Sequence, residues 1–147
     1  MAENEIEIAA PPERVWEVLA DASVYDTWVI GAQDVRDADE TWPAVGSRLH
    51  HRTGVGPLTV DDETEVVESQ PPTRLVLLER VGALGEFRVT LELSPMGSGG
   101  TSLRMVEDPV GGVAEHVPGT GAAIHARNGM SLQRLKTLAE ESPVEPR

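Results

Sequence analysis

The sequence predicts an α+β domain: one strand, two short helices, six further strands and a long C-terminal helix. Three observations carry this. Apolar residues alternate in short runs over residues 5–10 and 29–107, Gly and Pro clusters separate those runs at hairpin spacing, and a helical apolar period begins only near residue 122. Closely spaced hairpins imply antiparallel pairing, and strands followed by one long helix form an α+β plan.

Each element has a local reason. Ile6, Ile8 and Ala10 alternate with Glu5, Glu7 and Ala9, as in a strand with one face buried. Pro11-Pro12 ends that strand, and Pro12 suits the first turn of a helix whose stripe is Val15, Trp16, Val18 and Leu19. Asp21-Ala22-Ser23 is placed to cap a second short helix reaching about Trp28. Strands are then expected at Val29–Asp39, Ser47–Thr53, Leu58–Ser69, Arg74–Val81, Glu86–Leu93 and Thr101–Glu107. Asp108–Gly121 carries six prolines and glycines and is expected to be an irregular, mobile connection beside the cavity. Ile124, Asn128, Ser131, Leu132, Leu135 and Leu138 then recur at helical spacing over at least Ala122–Glu140, with Arg134 and Lys136 late in the helix where cations suit its dipole. Residues 1–141 are expected to form one ligand-binding domain, and 142–147 a flexible tail.

The balance of 12 basic against 25 acidic residues, a net charge of −13, argues against nucleic acid or anionic membrane surfaces as partners, because phosphates need clustered cations. No apolar run approaches the roughly 18 residues of a membrane span, and the chain begins without an apolar signal core, so a cytoplasmic protein is expected. The chain has no cysteine, which removes disulfides and thiolate chemistry. His50 and His51 are neighbours on a strand and point to opposite faces, and His116 and His125 lie nine apart. No metal and no cofactor are therefore expected. Asp34, Asp37, Asp39, Glu40 and Asp61-Asp62-Glu63 read as solvated strand edges.

Strand parity selects the inward residues. Phe87, Val89, Leu91 and Leu93 share one face, as do Leu103, Met105 and Glu107, while Leu49 carries His51 inward. For Arg74–Val81 two registers stay open: Leu75, Leu77 and Glu79 inward, or Val76, Leu78 and Arg80. Glu107 is the leading chemical candidate, as a general base or as an orienter of a ligand hydroxyl. The structural reading of the same residue is a bond to the following loop or a pair with Arg127. His51 is a second proton-transfer candidate or a polar anchor, against simple packing at the sheet edge. Asn128 interrupts an apolar helix face and needs the ligand, water or a strand partner such as Glu107. Arg127 is expected at the surface or rim. Trp28 is read first as core and second as a cavity wall.

A resemblance extends this reading. The opening Pro11-Pro12-Glu13-Arg14-Val15-Trp16-Glu17-Val18-Leu19-Ala20-Asp21 with Tyr25 and Trp28, then Gly46-Ser47-Arg48-Leu49, Gly100-Thr101-Ser102-Leu103, Glu107-Asp108-Pro109 and Arg127-Asn128 with Leu132 and Leu135, resembles the polyketide cyclase/dehydrase and lipid-transport family of the START-like, Bet v 1-like superfamily. The resemblance covers nearly the whole chain and implies a helix-grip fold: a curved seven-stranded antiparallel sheet around the C-terminal helix. It also implies an internal cavity for an apolar or aromatic, polyketide- or lipid-like small molecule. Trp28, Leu49, Val89, Leu91, Leu103, Met105, Ile124, Asn128 and Leu132 are expected to line or underlie that cavity, with Glu107 and His51 as its tentative proton-moving groups. A tryptophan at Met105 is expected to fill it at little cost in stability. Two functions stay open: a binding or carrier module, and a cyclase, aromatase or dehydratase, for no single catalytic motif unites the family. A homodimer is compatible with either.

Overall fold

The computed structural model describes residues 1–30, 32–55, 58–82, 85–112 and 116–141. Strand β1 (Ala2–Ile8) leads into helix α1 (Pro12–Leu19), a single 3-10 turn (Ala22–Val24) and helix α2 (Tyr25–Trp28). Six strands follow: β2 (Ala32–Ala38), β3 (Arg48–Val55), β4 (Leu58–Gln70), β5 (Arg74–Val81), β6 (Gly85–Pro95) and β7 (Thr101–Gly111). Helix α3 (Thr120–Glu140) closes the fold. All pairings are antiparallel, in the order β1-β7-β6-β5-β4-β3-β2, so β7 lies beside the first strand and the remaining strands form a meander. This is the expected helix-grip plan.

The core lies between one face of the sheet and α3. Helix α3 buries Ile124, Asn128, Ser131, Leu132, Leu135 and Ala139, one face at successive turns. Leu132 and Leu135 are fully enclosed and each contributes about 1.5–3 kcal/mol of apolar burial. From the other side come Leu49, Val66, Leu75, Leu77, Val89, Leu91, Leu93 and Leu103. Ile124 belongs to a separate small cluster with Ala2, Val81 and Phe87.

Two details differ from expectation. Strand β7 does not stop at Glu107 but pairs with β6 as far as Gly111. The proline at 109 is compatible with this because β1 begins opposite Glu107, at Ala2. Beyond that point β7 is an edge strand, where a missing N–H costs no ladder bond. The expected irregular connection is thus shortened at both ends, since α3 already starts at Thr120. Residues 113–115 of that connection, and the expected tail at 142–147, lie outside the described residues.

The second difference concerns the C-terminus of α3, where the cation is Arg14 of α1 rather than Arg134 or Lys136. The Arg14 guanidinium donates to the carbonyls of Leu138 (3.1 Å), Ala139 (3.2 Å) and Glu141 (3.3 Å), groups that a helix end leaves without partners. Lys136 reaches the Glu7 carbonyl instead, and Arg134 the Thr27 carbonyl.

Candidate functional site

Parity in β7 puts Glu107 on the inner face, and the structure leaves it only 1% exposed. Directly across the core, the first half of α3 presents Arg127 and Asn128. Arg127 Nη2 donates to both carboxylate oxygens of Glu107 at 2.8 Å, and Asn128 Nδ2 donates to Oε1 at 3.2 Å. Arg127 Nε and Nη2 also lie 3.4 Å from Asn128 Oδ1. Arg127 does stand at a rim, with its side chain 30% exposed, yet its head group turns inward to the carboxylate. An otherwise unpaired buried charge is thereby compensated.

The open register of β5 resolves with Leu75, Leu77, Glu79 and Val81 inward. Glu79 lies opposite Thr64 of β4. From α2, the Tyr25 hydroxyl reaches over this pair, donating to Glu79 Oε1 at 3.2 Å and lying 3.4 Å from Thr64 Oγ1. Thr64 Oγ1 in turn is 3.2 Å from His51 Nε2, and His51 sits opposite Asp62 with 3.8 Å between Nε2 and Oδ2. The Tyr25 ring is fixed by Trp28 and Trp42, both edge-on, and by the tilted His51 ring. Asp62 therefore does not belong to a solvated edge: it is 4% exposed, on the inner face with His51. His50, by contrast, faces outward toward Glu63, as strand alternation requires.

Two of these groups have shifted proton affinities. Burial, then the charge of Glu107, pushes the Glu79 carboxyl up to about 8, against the opposing influence of Arg127 and the Tyr25 hydroxyl. Burial, reinforced by Glu79, raises the Tyr25 phenol well above its ordinary value. Near neutral pH, Glu79 is thus a neutral acid and Tyr25 a neutral phenol.

These side chains meet at one enclosed space between sheet and helix. Its polar wall is Tyr25, Glu79, Glu107, Arg127, Asn128 and Ser131; its apolar wall includes Trp28, Leu77, Val89, Leu91 and Met105. The space measures about 10 Å³, room for about one water. A hollow of about 420 Å³ is an open surface groove beside Pro12, Pro72 and Met96, and it contains none of the polar cluster. Of the residues expected at the cavity, Trp28, Val89, Leu91, Met105, Glu107 and Asn128 border the enclosed space. Leu49, Leu103 and Leu132 are solid core, Ile124 lies in its own cluster, and His51 stands one hydrogen-bonded residue behind Tyr25. So little room also reverses the expectation for Met105, where a tryptophan would overpack. Among the described residues, no group of three His, Asp or Glu side chains is arranged to hold a metal ion, and no helix is long and apolar enough to cross a membrane.

A curved antiparallel sheet gripping one long helix, with a polar cluster enclosed between them, defines a START-like, Bet v 1-like helix-grip protein. Within that class, the chain belongs to the family described as polyketide cyclase / dehydrase and lipid transport, whose model matches residues 2–140. Solved structures carry the same fold. Protein CV1439 from Chromobacterium violaceum superposes with a TM-score of 0.73 at 21% identity, over 95% of this chain and 97% of that one. DynU16, described as a protein in the dynemicin biosynthetic locus, superposes at 0.71 and 19% identity over 95% of this chain and 46% of its own. Ara h 8.0201 superposes at 0.72 and 11% identity, over 93% and 95%. At these identities the likeness is one of fold alone. The sequence has no match among curated proteins.

Proposed function

We propose that this chain binds an apolar or aromatic small molecule, polyketide- or lipid-like, between the sheet and α3. The observation that carries the reading is the convergence of polar groups from α2, β5, β7 and α3 on one space otherwise walled by apolar side chains. Ligand sites have this composition: an apolar lining with a few placed polar groups. The space has room for about one water, so a ligand enters by parting α3 from the sheet. Arg127, which spans from solvent to Glu107, marks where that opening begins.

The test is titration of the purified protein with an apolar fluorescent dye, together with mass spectrometry of small molecules that co-purify with it. Saturable dye binding, or a co-purifying apolar small molecule, supports the reading. No dye binding at any concentration below dye aggregation would sink it.

One observation favours a second reading, catalysis of a cyclisation or dehydration. Two carboxyl groups at one site, one paired with arginine and one pushed up to about 8, is the pattern of an acid and a base with separated roles. Glu107→Gln distinguishes the two readings. A carrier keeps its apolar binding, whereas an enzyme using Glu107 as base loses turnover by a factor on the order of 100 or more.

A further inference from the structure

Resting on the binding reading above, we infer that Glu79 is a hydrogen-bond donor to the ligand, so that the site selects neutral molecules carrying an acceptor oxygen, such as a ketone, quinone or ester, over carboxylates. Glu107 Oε1 accepts from both Arg127 and Asn128, and Oε2 accepts from Arg127. Ser131 Oγ accepts from the Ile30 amide and keeps a hydrogen to give. Glu79 Oε1 accepts from Tyr25, which leaves Oε2 to carry the proton. A space the size of one water, bordered by a carboxylate already paired with Arg127 and by the hydrogens of Glu79 and Ser131, suits a single acceptor oxygen.

Charge points the same way. The groups around Glu79 are Tyr25 from α2, Glu107 from β7 and Arg127 from α3, with Asp62 of β4 and His51 of β3 further off, behind Thr64. Arg127 is already paired with Glu107, so a ligand carboxylate would enter beside Glu107, and the cation bordering the space is the one already paired. Burial and the Glu107 charge hold Glu79 protonated at neutral pH, and Tyr25 fixes which oxygen is left for the ligand. Behind Tyr25, Thr64 and His51 extend the hydrogen-bonded chain and hold the phenol in place. A ligand oxygen in this space can accept from Glu79, whereas a hydrocarbon at the same point cannot.

The probes are tetralin, 2-tetralone and tetralin-2-carboxylate, three bodies of one shape, each competing with the dye at about pH 6.5 and about pH 9.5, on either side of the Glu79 titration. At the lower pH the ketone should bind roughly five- to tenfold tighter than the hydrocarbon, the value of one hydrogen bond, and the carboxylate weaker than both. At the higher pH the ketone's advantage should vanish. Glu79→Gln keeps an N–H donor but cannot ionise, so it should retain the advantage at both pH values. Glu79→Leu should remove the advantage at both while still binding tetralin. A ketone advantage that survives in Glu79→Leu, or that is absent or independent of pH in the parent protein, overturns the inference while leaving the pocket intact. Failure of all three probes and the dye removes the pocket itself, and the inference with it.

Discussion

Glu79→Gln should change how stability depends on pH more than any other single substitution at the site. The Glu79 carboxyl rises from an ordinary 4.5 to about 8 in the folded chain, first because it is buried and then because Glu107 is near. Below the unfolded value, the folded and unfolded chains both carry the proton, and pH has no effect through this residue. Between the two values only the folded chain keeps it, so stability falls by about 1.4 kcal/mol per pH unit. Above the folded value both forms are ionised and the decline stops. Across the whole window the loss is about 5 kcal/mol, comparable with the entire stability of many domains. Glu3 and Glu140 shift the opposite way, so their linkage operates as pH falls through the carboxylate range and does not mask this window. The Tyr25 phenol titrates well above it. The assay is urea unfolding of the parent and Glu79→Gln at several values between about pH 5 and about pH 9. The parent should weaken steadily up to about pH 8. The glutamine variant should stay nearly flat, close to or below the parent in acid and well above it in alkali. Parallel curves for the two proteins would refute the reasoning, because Glu79 would then titrate alike folded and unfolded.

Three further outcomes follow from the packing. Met105→Trp adds a large ring beside a space of about 10 Å³ and should cost about 1–3 kcal/mol, read from the shift in the urea midpoint; an unchanged midpoint would show the interior to be more open than this. Glu107→Ala strands Arg127 and Asn128 and should cost roughly 1–3 kcal/mol, below the figure for a fully enclosed pair because Arg127 reaches solvent, with Glu107→Gln milder in the same unfolding measurement. Arg14→Ala removes the donor to three carbonyls at the end of α3 and should cost about 1–2 kcal/mol, with faster amide exchange confined to the helix's last turns; loss of protection spread evenly along α3 would contradict the capping role.

The fold was legible because its signals are local. Alternation, proline and glycine punctuation and one helical period each act within a dozen residues, and here they agree. The Glu107–Asn128 contact was legible for a related reason: each residue shares parity or period with apolar neighbours that leave no doubt about direction. The rest of the cluster lacked such neighbours. Strand β5 carries Leu75, Val76, Leu77 and Leu78 in succession, so both registers bury apolar side chains, and Tyr25 on another element selects Glu79. Asp62 lay within an acidic run, but Asp62, Thr64 and Val66 share a face, and the buried Val66 marks it as internal. The signal was obscured because Val66 and Val67 are consecutive, so either parity offers a valine to the core, and the bulge between Val66 and Glu68 shifts the register beyond them. The size of the enclosed space was not legible at all, because it depends on how rings from α2 and side chains from three strands and α3 interdigitate.

The charges on the inner face explain why these residues behave as a set. Asp62, Glu79 and Glu107 bring three carboxyl groups to one side of the sheet, and among the residues bordering the enclosed space the cation is Arg127 alone. Arg127 is committed to Glu107 with both oxygens, and Asp62 has His51 beside it. Glu79 has a phenol hydroxyl but no cation of its own, so burial resolves its charge by keeping the proton. A chain with 25 acidic residues had ample room for carboxylates on its surface, where they cost little. Placing one inside without a counter-ion trades alkaline stability for a neutral acid held at a fixed point. Under the donor role inferred for Glu79, stability against pH and probe selectivity report on the same proton and change over the same pH window.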